Sequence, residues 1–110
     1  YALGVKRFTK EPLALVTRQD DPTWTSYVFW IVSATFYAEE QGISQGSSNE
    51  MPTTDLFPTR DRDRTLRNVI QAVGSYHNIY ERSLGRKVPR EGMNLVNSNG
   101  PQHCPYPFLP

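Results

Sequence analysis

Three side chains in this sequence could ligate a metal or attack a substrate: His77, His103 and Cys104. Zinc sites take their His and Cys ligands at short, repeated spacings. Here His103 and Cys104 are neighbours and His77 lies a helix and a tail away, so no recognised ligand spacing exists. A Cys104 nucleophile would need a base and an electropositive setting such as a helix N-terminus to lower its thiol pKa. It sits instead before a proline-rich run, Pro105-Tyr106-Pro107, and all three residues read as structural or idle. Two carboxylate pairs remain, Asp20/Asp21 and Glu39/Glu40. Adjacent residues diverge on a helix, so neither pair makes an acid/base couple. The first reads as helix capping and the second as solvent-exposed. Residues 60–64, Arg-Asp-Arg-Asp-Arg, read as a solvated helix entry with local ion pairs worth little each, phosphate binding being the lesser alternative. No Gly-rich phosphate loop follows a strand. No catalytic, ligand-binding or metal residue is therefore assigned, and no cofactor is expected.

The elements that carry these residues are legible from periodicity. Leu13, Leu15 and Thr17 would share one face of a strand and Ala14 and Val16 the other, with Pro12 at its start, so 13–18 is expected to be a short strand. Asp20-Asp21-Pro22 is a helix start: Asp21 caps free backbone N–H groups and Pro22 suits the first helical position. The helix is expected to run to about Gln41, with Gly42 as left-handed terminator. Its uncharged interior falls short of the roughly 20 residues a membrane span needs. It reads as a helix buried on most of its faces, whose aromatics are core before they are base-stacking platforms. A polar stretch follows, in which Asn49-Glu50-Met51 can form a helical turn. From near Asp63, residues Leu66, Val69, Ile70, Val73, Tyr76, Ile79, Tyr80 and Leu84 recur every three or four positions, a second helix to about 84. Gly74 interrupts it as a bend or a junction between two shorter helices, and Gly85 closes it. Beyond lies an irregular, proline-rich tail able to dock through Tyr106 and Phe108.

Bulk composition narrows the classes. The 110 residues suffice for one small domain with a modest core. Twelve Lys and Arg against eleven Asp and Glu leave a formal charge of +1, which argues against nucleic acid as a partner and against anionic membrane. With one cysteine no internal disulfide is possible. No signal peptide is apparent, and the opening on Tyr1 suggests a processed product or an excised fragment.

Read in order, several segments resemble the general L-amino-acid-binding periplasmic proteins, the family 3 solute-binding group of ABC transporters. Thr9-Lys10-Glu11-Pro12-Leu13 is similar to that family's Ser-Lys-Glu-Pro-Leu. Val16-Thr17-Arg18-Gln19-Asp20-Asp21, then Trp24, resembles Val-Arg-x-Gly-Asp-Asp-x-Trp, with Gln19 where the family has Gly. Trp30 and Ala38-Glu39-Glu40-Gln41-Gly42-Ile43 resemble its Trp and its Ala-Glu-Glu-Leu-Gly-Ile, and Asn49-Glu50-Met51 its Asp-Glu-Met. Val73-Gly74-Ser75-Tyr76, Ile79-Tyr80-Glu81-Arg82 and Leu84-Gly85 resemble Val-Gly-Asn-Tyr-x-x-Ile-Phe-Glu-Arg-Asn-Leu-Gly. Gly92-Met93-Asn94 resembles a closing Gly-Leu-Asn, after which the pattern departs.

The resemblance covers most of this chain but only about the last third of a full-length member. It implies part of a two-lobed α/β protein that closes on an amino acid. Residues 9–18 would then be a hinge strand returning to the first lobe, with Lys10, Glu11 and Pro12 as structural hinge residues, and the following helices would pack on that lobe's outside. The stretches that grip the amino acid come earlier in such proteins, so no ligand contacts carry over. The implied partners are a polar L-amino acid and a membrane ABC permease, both through the full-length parent, and the missing N-terminal lobes. The implied place is periplasmic or extracellular. The fold class expected is mostly α with a minor β component (α+β). Its segments are 1–94 (hinge strand 9–18, helices about 22–41 and 63–84) and the tail 95–110. The alternative is a stand-alone helical interaction module that buries the same helices by forming a homodimer or by docking the Tyr106–Phe108 tail onto them. An enzyme is not expected.

Overall fold

A computed structural model describes residues 14–53, 64–92 and 95. Helix α1 spans Pro22–Glu40 and begins as its sequence dictates. The Asp21 carboxylate accepts from the Trp24 N–H at 2.9 Å, and Pro22 occupies the first turn. Its end is a Schellman motif. Gly42 turns left-handed at φ 70°, its N–H donates to the Glu39 carbonyl at 3.1 Å, and the Ile43 N–H reaches back to the Ala38 carbonyl at 2.7 Å. That reversal drops Ile43 into the core beside Ala38.

A single 3₁₀ turn, Ser48–Glu50, follows and delivers Met51, which is fully buried. Helix α2, Thr65–Val73, buries Leu66 and Ile70 on the stripe its periodicity defines. These residues with Ala34, Ala38, Ile43 and Met51 form the core, flanked by the partly buried Tyr27, Trp30, Tyr37 and Val69. Polar side chains complete the seams. Arg67 donates to the Met51 carbonyl, and Gln45 caps the last turn of α2 through the Gln71 and Ala72 carbonyls, both at 3.1 Å.

The apolar stripe expected from near 63 to 84 is divided at Gly74 and Ser75. Gly74 sits at φ 79°, ψ −171°, a conformation open in practice to glycine alone, and its N–H still donates to the Ile70 carbonyl. Ser75 then starts helix α3, Tyr76–Tyr80, with a reciprocal capping box. The Asn78 N–H donates to the Ser75 hydroxyl, and the Ser75 N–H donates to the Asn78 side-chain oxygen at 3.0 Å. A π-helical turn, Glu81–Gly85, continues it, and Arg82 reaches back to the Val73 carbonyl. The junction is thus a stop and a restart.

The chain after this turn, which lacks any periodicity in sequence, is fastened back onto the helices. The Tyr80 hydroxyl donates to the Val88 carbonyl at 3.0 Å. Arg90 Nη1 lies 2.7 and 2.8 Å from the two carboxylate oxygens of Glu39, and the side chains of Arg90 and Glu39 are only 2% and 13% exposed.

Among the described residues the fold is mostly helical and contains no strand. Residues 14–18 of the expected strand have no strand structure, and Leu15 and Val16 are 70% and 94% exposed. A strand exists through the ladder it makes with a neighbour, and no second extended segment runs beside 14–18 among the described residues. Leu13 and the hinge residues Lys10, Glu11 and Pro12 lie outside the described residues.

Two outcomes follow for stability. At Gly74 an added Cβ would stand 2.8 Å from Asn78 Oδ1 and 2.9 Å from Asn78 Cβ. Gly74→Ala should therefore lower unfolding free energy by about 1–3 kcal/mol in urea titration. Removing either partner of the Glu39–Arg90 pair leaves a buried charge alone, so Glu39→Met or Arg90→Met should each cost about 3 kcal/mol. The double variant should cost clearly less than their sum; strict additivity in the cycle would show that the two groups do not interact.

Candidate interaction face

The residues singled out for chemistry do not converge. His77 is an exposed side chain of α3, while His103 and Cys104 lie outside the described residues. No group of three or more His, Cys, Asp or Glu able to hold a metal occurs among the described residues. Asp21 caps α1 as expected. Asp20 pairs with Arg18 instead, through Nε at 2.9 Å and through Nη2, in an exposed bridge of small energetic weight. Of the alternating run 60–64 only Arg64 is described, and it is exposed. Glu39 departs from the expectation of solvent exposure. It turns inward because Arg90, 51 residues later, brings a guanidinium against it. Arg90 was invisible to periodicity, since it lies in an irregular segment and its partner is remote in sequence.

What the fold does assemble is an aromatic surface on α1. The expectation that this helix is buried on most of its faces holds only for its second half. Ser33, Ala34, Thr35 and Ala38 are buried there, and α2 and α3 pack against the helix. The first half carries as much apolar surface but is covered far less. Trp24 is 53% and Phe29 57% exposed, and Tyr27, Val28, Trp30, Ile31 and Val32 are only partly buried. The rings organise one another: Trp24 stacks on Tyr27 at 5.6 Å and 14°, and Phe29 meets Trp30 edge-on at 5.5 Å. The sequence makes this stretch apolar all round, and α2, Ile43 and Met51 reach only one side of it. The surface is apolar and aromatic, a composition suited to contact with protein and unsuited to acid/base or metal chemistry.

No helix among the described residues is long and apolar enough to cross a membrane.

Comparison with known proteins is consistent with this composition. No family model matches the chain, and no solved structure does. Among curated proteins, the amino-acid ABC transporter-binding protein YhdW of Escherichia coli K12 is 33% identical over a 116-residue alignment. The general L-amino acid-binding periplasmic protein AapJ of Rhizobium johnstonii is 35% identical over 117 residues. Each alignment takes in 88% of this chain but 34% of the relative, so the chain spans about a third of the length of the curated relatives it matches. Over most of its length, this chain is a relative of the amino-acid-binding proteins of ABC transporters, in the family 3 solute-binding group.

Proposed function

We propose that this chain is the C-terminal portion of an amino-acid-binding protein that serves an ABC transporter, a carrier component and not an enzyme. In this reading α1, α2 and α3 pack on the outside of the carrier's first lobe. The observation that carries it is the uneven burial of α1: one half sits in a core, the other exposes Trp24 and Phe29. The relatives named above are some three times longer than the matched region, which leaves ample chain to cover that face. The order of the matching segments, from Thr9-Lys10-Glu11-Pro12-Leu13 to Gly92-Met93-Asn94, supports a C-terminal placement.

The role proposed for the chain is structural. The parent's polar L-amino acid would be gripped by segments other than these, and delivery to the membrane permease, in the periplasm, would belong to the whole carrier. Lys10, Glu11 and Pro12 would serve as hinge residues. A second reading draws on the same exposed rings: a second copy of the chain could cover them in a discrete homodimer.

Co-expression tests the first reading. The N-terminal two-thirds of AapJ should co-elute with this chain on a sizing column, and Trp24→Lys with Phe29→Lys should abolish co-elution while leaving the helical circular dichroism in place. Persistent separation of the unaltered chains would count against the carrier portion, and a monodisperse homodimer by light scattering would favour the second reading. The chain alone should show no thermal shift with millimolar polar L-amino acids. A ligand that binds only the folded state adds RT ln(1 + [L]/Kd), about 2.7 kcal/mol at a hundredfold excess. A shift of that kind would mean the chain holds the amino-acid site after all.

A further inference from the structure

We propose that Glu39, Tyr76 and Tyr80 form a guanidinium-binding cage, which the chain fills with its own Arg90, so that Arg90 acts as a tethered ligand. This inference is independent of the carrier reading, because every group in it is part of the described fold.

The cage has the parts that recognition of a planar cation requires. Its anionic wall is the Glu39 carboxylate, whose oxygens stand 2.7 and 2.8 Å from Arg90 Nη1. Its aromatic walls are the rings of Tyr76 and Tyr80, whose centroids lie 4.8 and 5.5 Å from the Arg90 guanidinium carbon. Both distances fall inside the roughly 6 Å at which a ring face attracts a cation. The walls are themselves held. Phe36 of α1 stacks on Tyr76 at 4.2 Å and 28°, and Tyr76 stands 6.5 Å from Tyr80, one turn further along α3. The site is dry: the Arg90 side chain is 2% exposed and Glu39 13%. Guanidinium suits such a place better than ammonium, being weakly hydrated, planar and able to stack.

The occupant is also separable from the walls. Glu39 belongs to α1, and Tyr76 and Tyr80 to α3, both regular helices that meet through the Phe36–Tyr76 stack. Arg90 arrives on an irregular segment, tied to the helices nearby by the Tyr80 hydroxyl bond to the Val88 carbonyl and by the Lys87 and Val88 N–H bonds to the Leu84 carbonyl. Walls on helices and an occupant on a connecting segment are what allow the walls to take a guanidinium from elsewhere, such as an arginine side chain of another polypeptide, when Arg90 is withdrawn.

Chemical rescue tests the cage with the full 110-residue chain. Arg90→Ala should lower the melting temperature, and ethylguanidinium at about 10 mM should raise it again, saturably, by at least about 4 °C. Ethylammonium and sodium chloride at equal concentration should not, nor should ethylguanidinium act on the Glu39→Gln/Arg90→Ala double variant. If Arg90→Ala is unfolded without additive, recovery of helical circular dichroism with ethylguanidinium is the readout. Failure to recover, or an equal response to ethylammonium or in the double variant, overturns the proposal. Arg90→Lys keeps the charge but loses the plane, so it should melt well below the parent chain; an unchanged melting temperature would likewise overturn it.

Discussion

A buried charge cannot be left alone, and the chain's architecture turns on that constraint at Arg90. Its guanidinium is withdrawn from water, so a counter-charge and aromatic faces must be brought to it. Glu39 supplies the first from the last turn of α1, and Tyr76 and Tyr80 supply the second from α3. Satisfying one side chain therefore fixes the end of α1, the whole of α3 and the return segment at a single point. At the Gly74–Ser75 break the glycine turn and the Ser75–Asn78 cap start α3 anew, and Tyr76, its first residue, stacks on Phe36 of α1.

The core of this chain is small beside the apolar content of α1. Among the described residues six buried apolar side chains line it, and two of them are alanines, which contribute little transfer free energy each. The larger side chains, Trp24, Tyr27, Phe29 and Trp30, sit at its margin or outside it.

Local chemistry was legible in the sequence wherever one turn of backbone decides the outcome. Asp21-Pro22, Gly42 and the 3.6-residue stripe of α2 each act through neighbours within four positions, and they locate both ends of α1 and the buried face of α2. Gly74 could be read as a junction because an interior glycine in a helix has few other uses. What was not legible depends on distance along the chain. Whether residues 14–18 form a strand depends on a partner strand, and whether α1 is buried depends on what lies against it. Both expectations assumed neighbours that are not found among the described residues. Glu39 looked like a surface acid because Arg90, its partner, is 51 residues away in a stretch without period.

The exposed rings of α1 are not scattered singly; they are consecutive turns of one helix, pre-stacked in pairs and continuous with a packed core. Stacking restricts their rotamers before any partner arrives, which lowers the entropy lost on association. The Arg90 clamp acts on the opposite end of α1, anchoring the helix without drawing on those rings. One end of α1 is thus closed by charge and aromatic contacts within the chain. The other is left as an ordered surface of partly exposed, mutually packed rings.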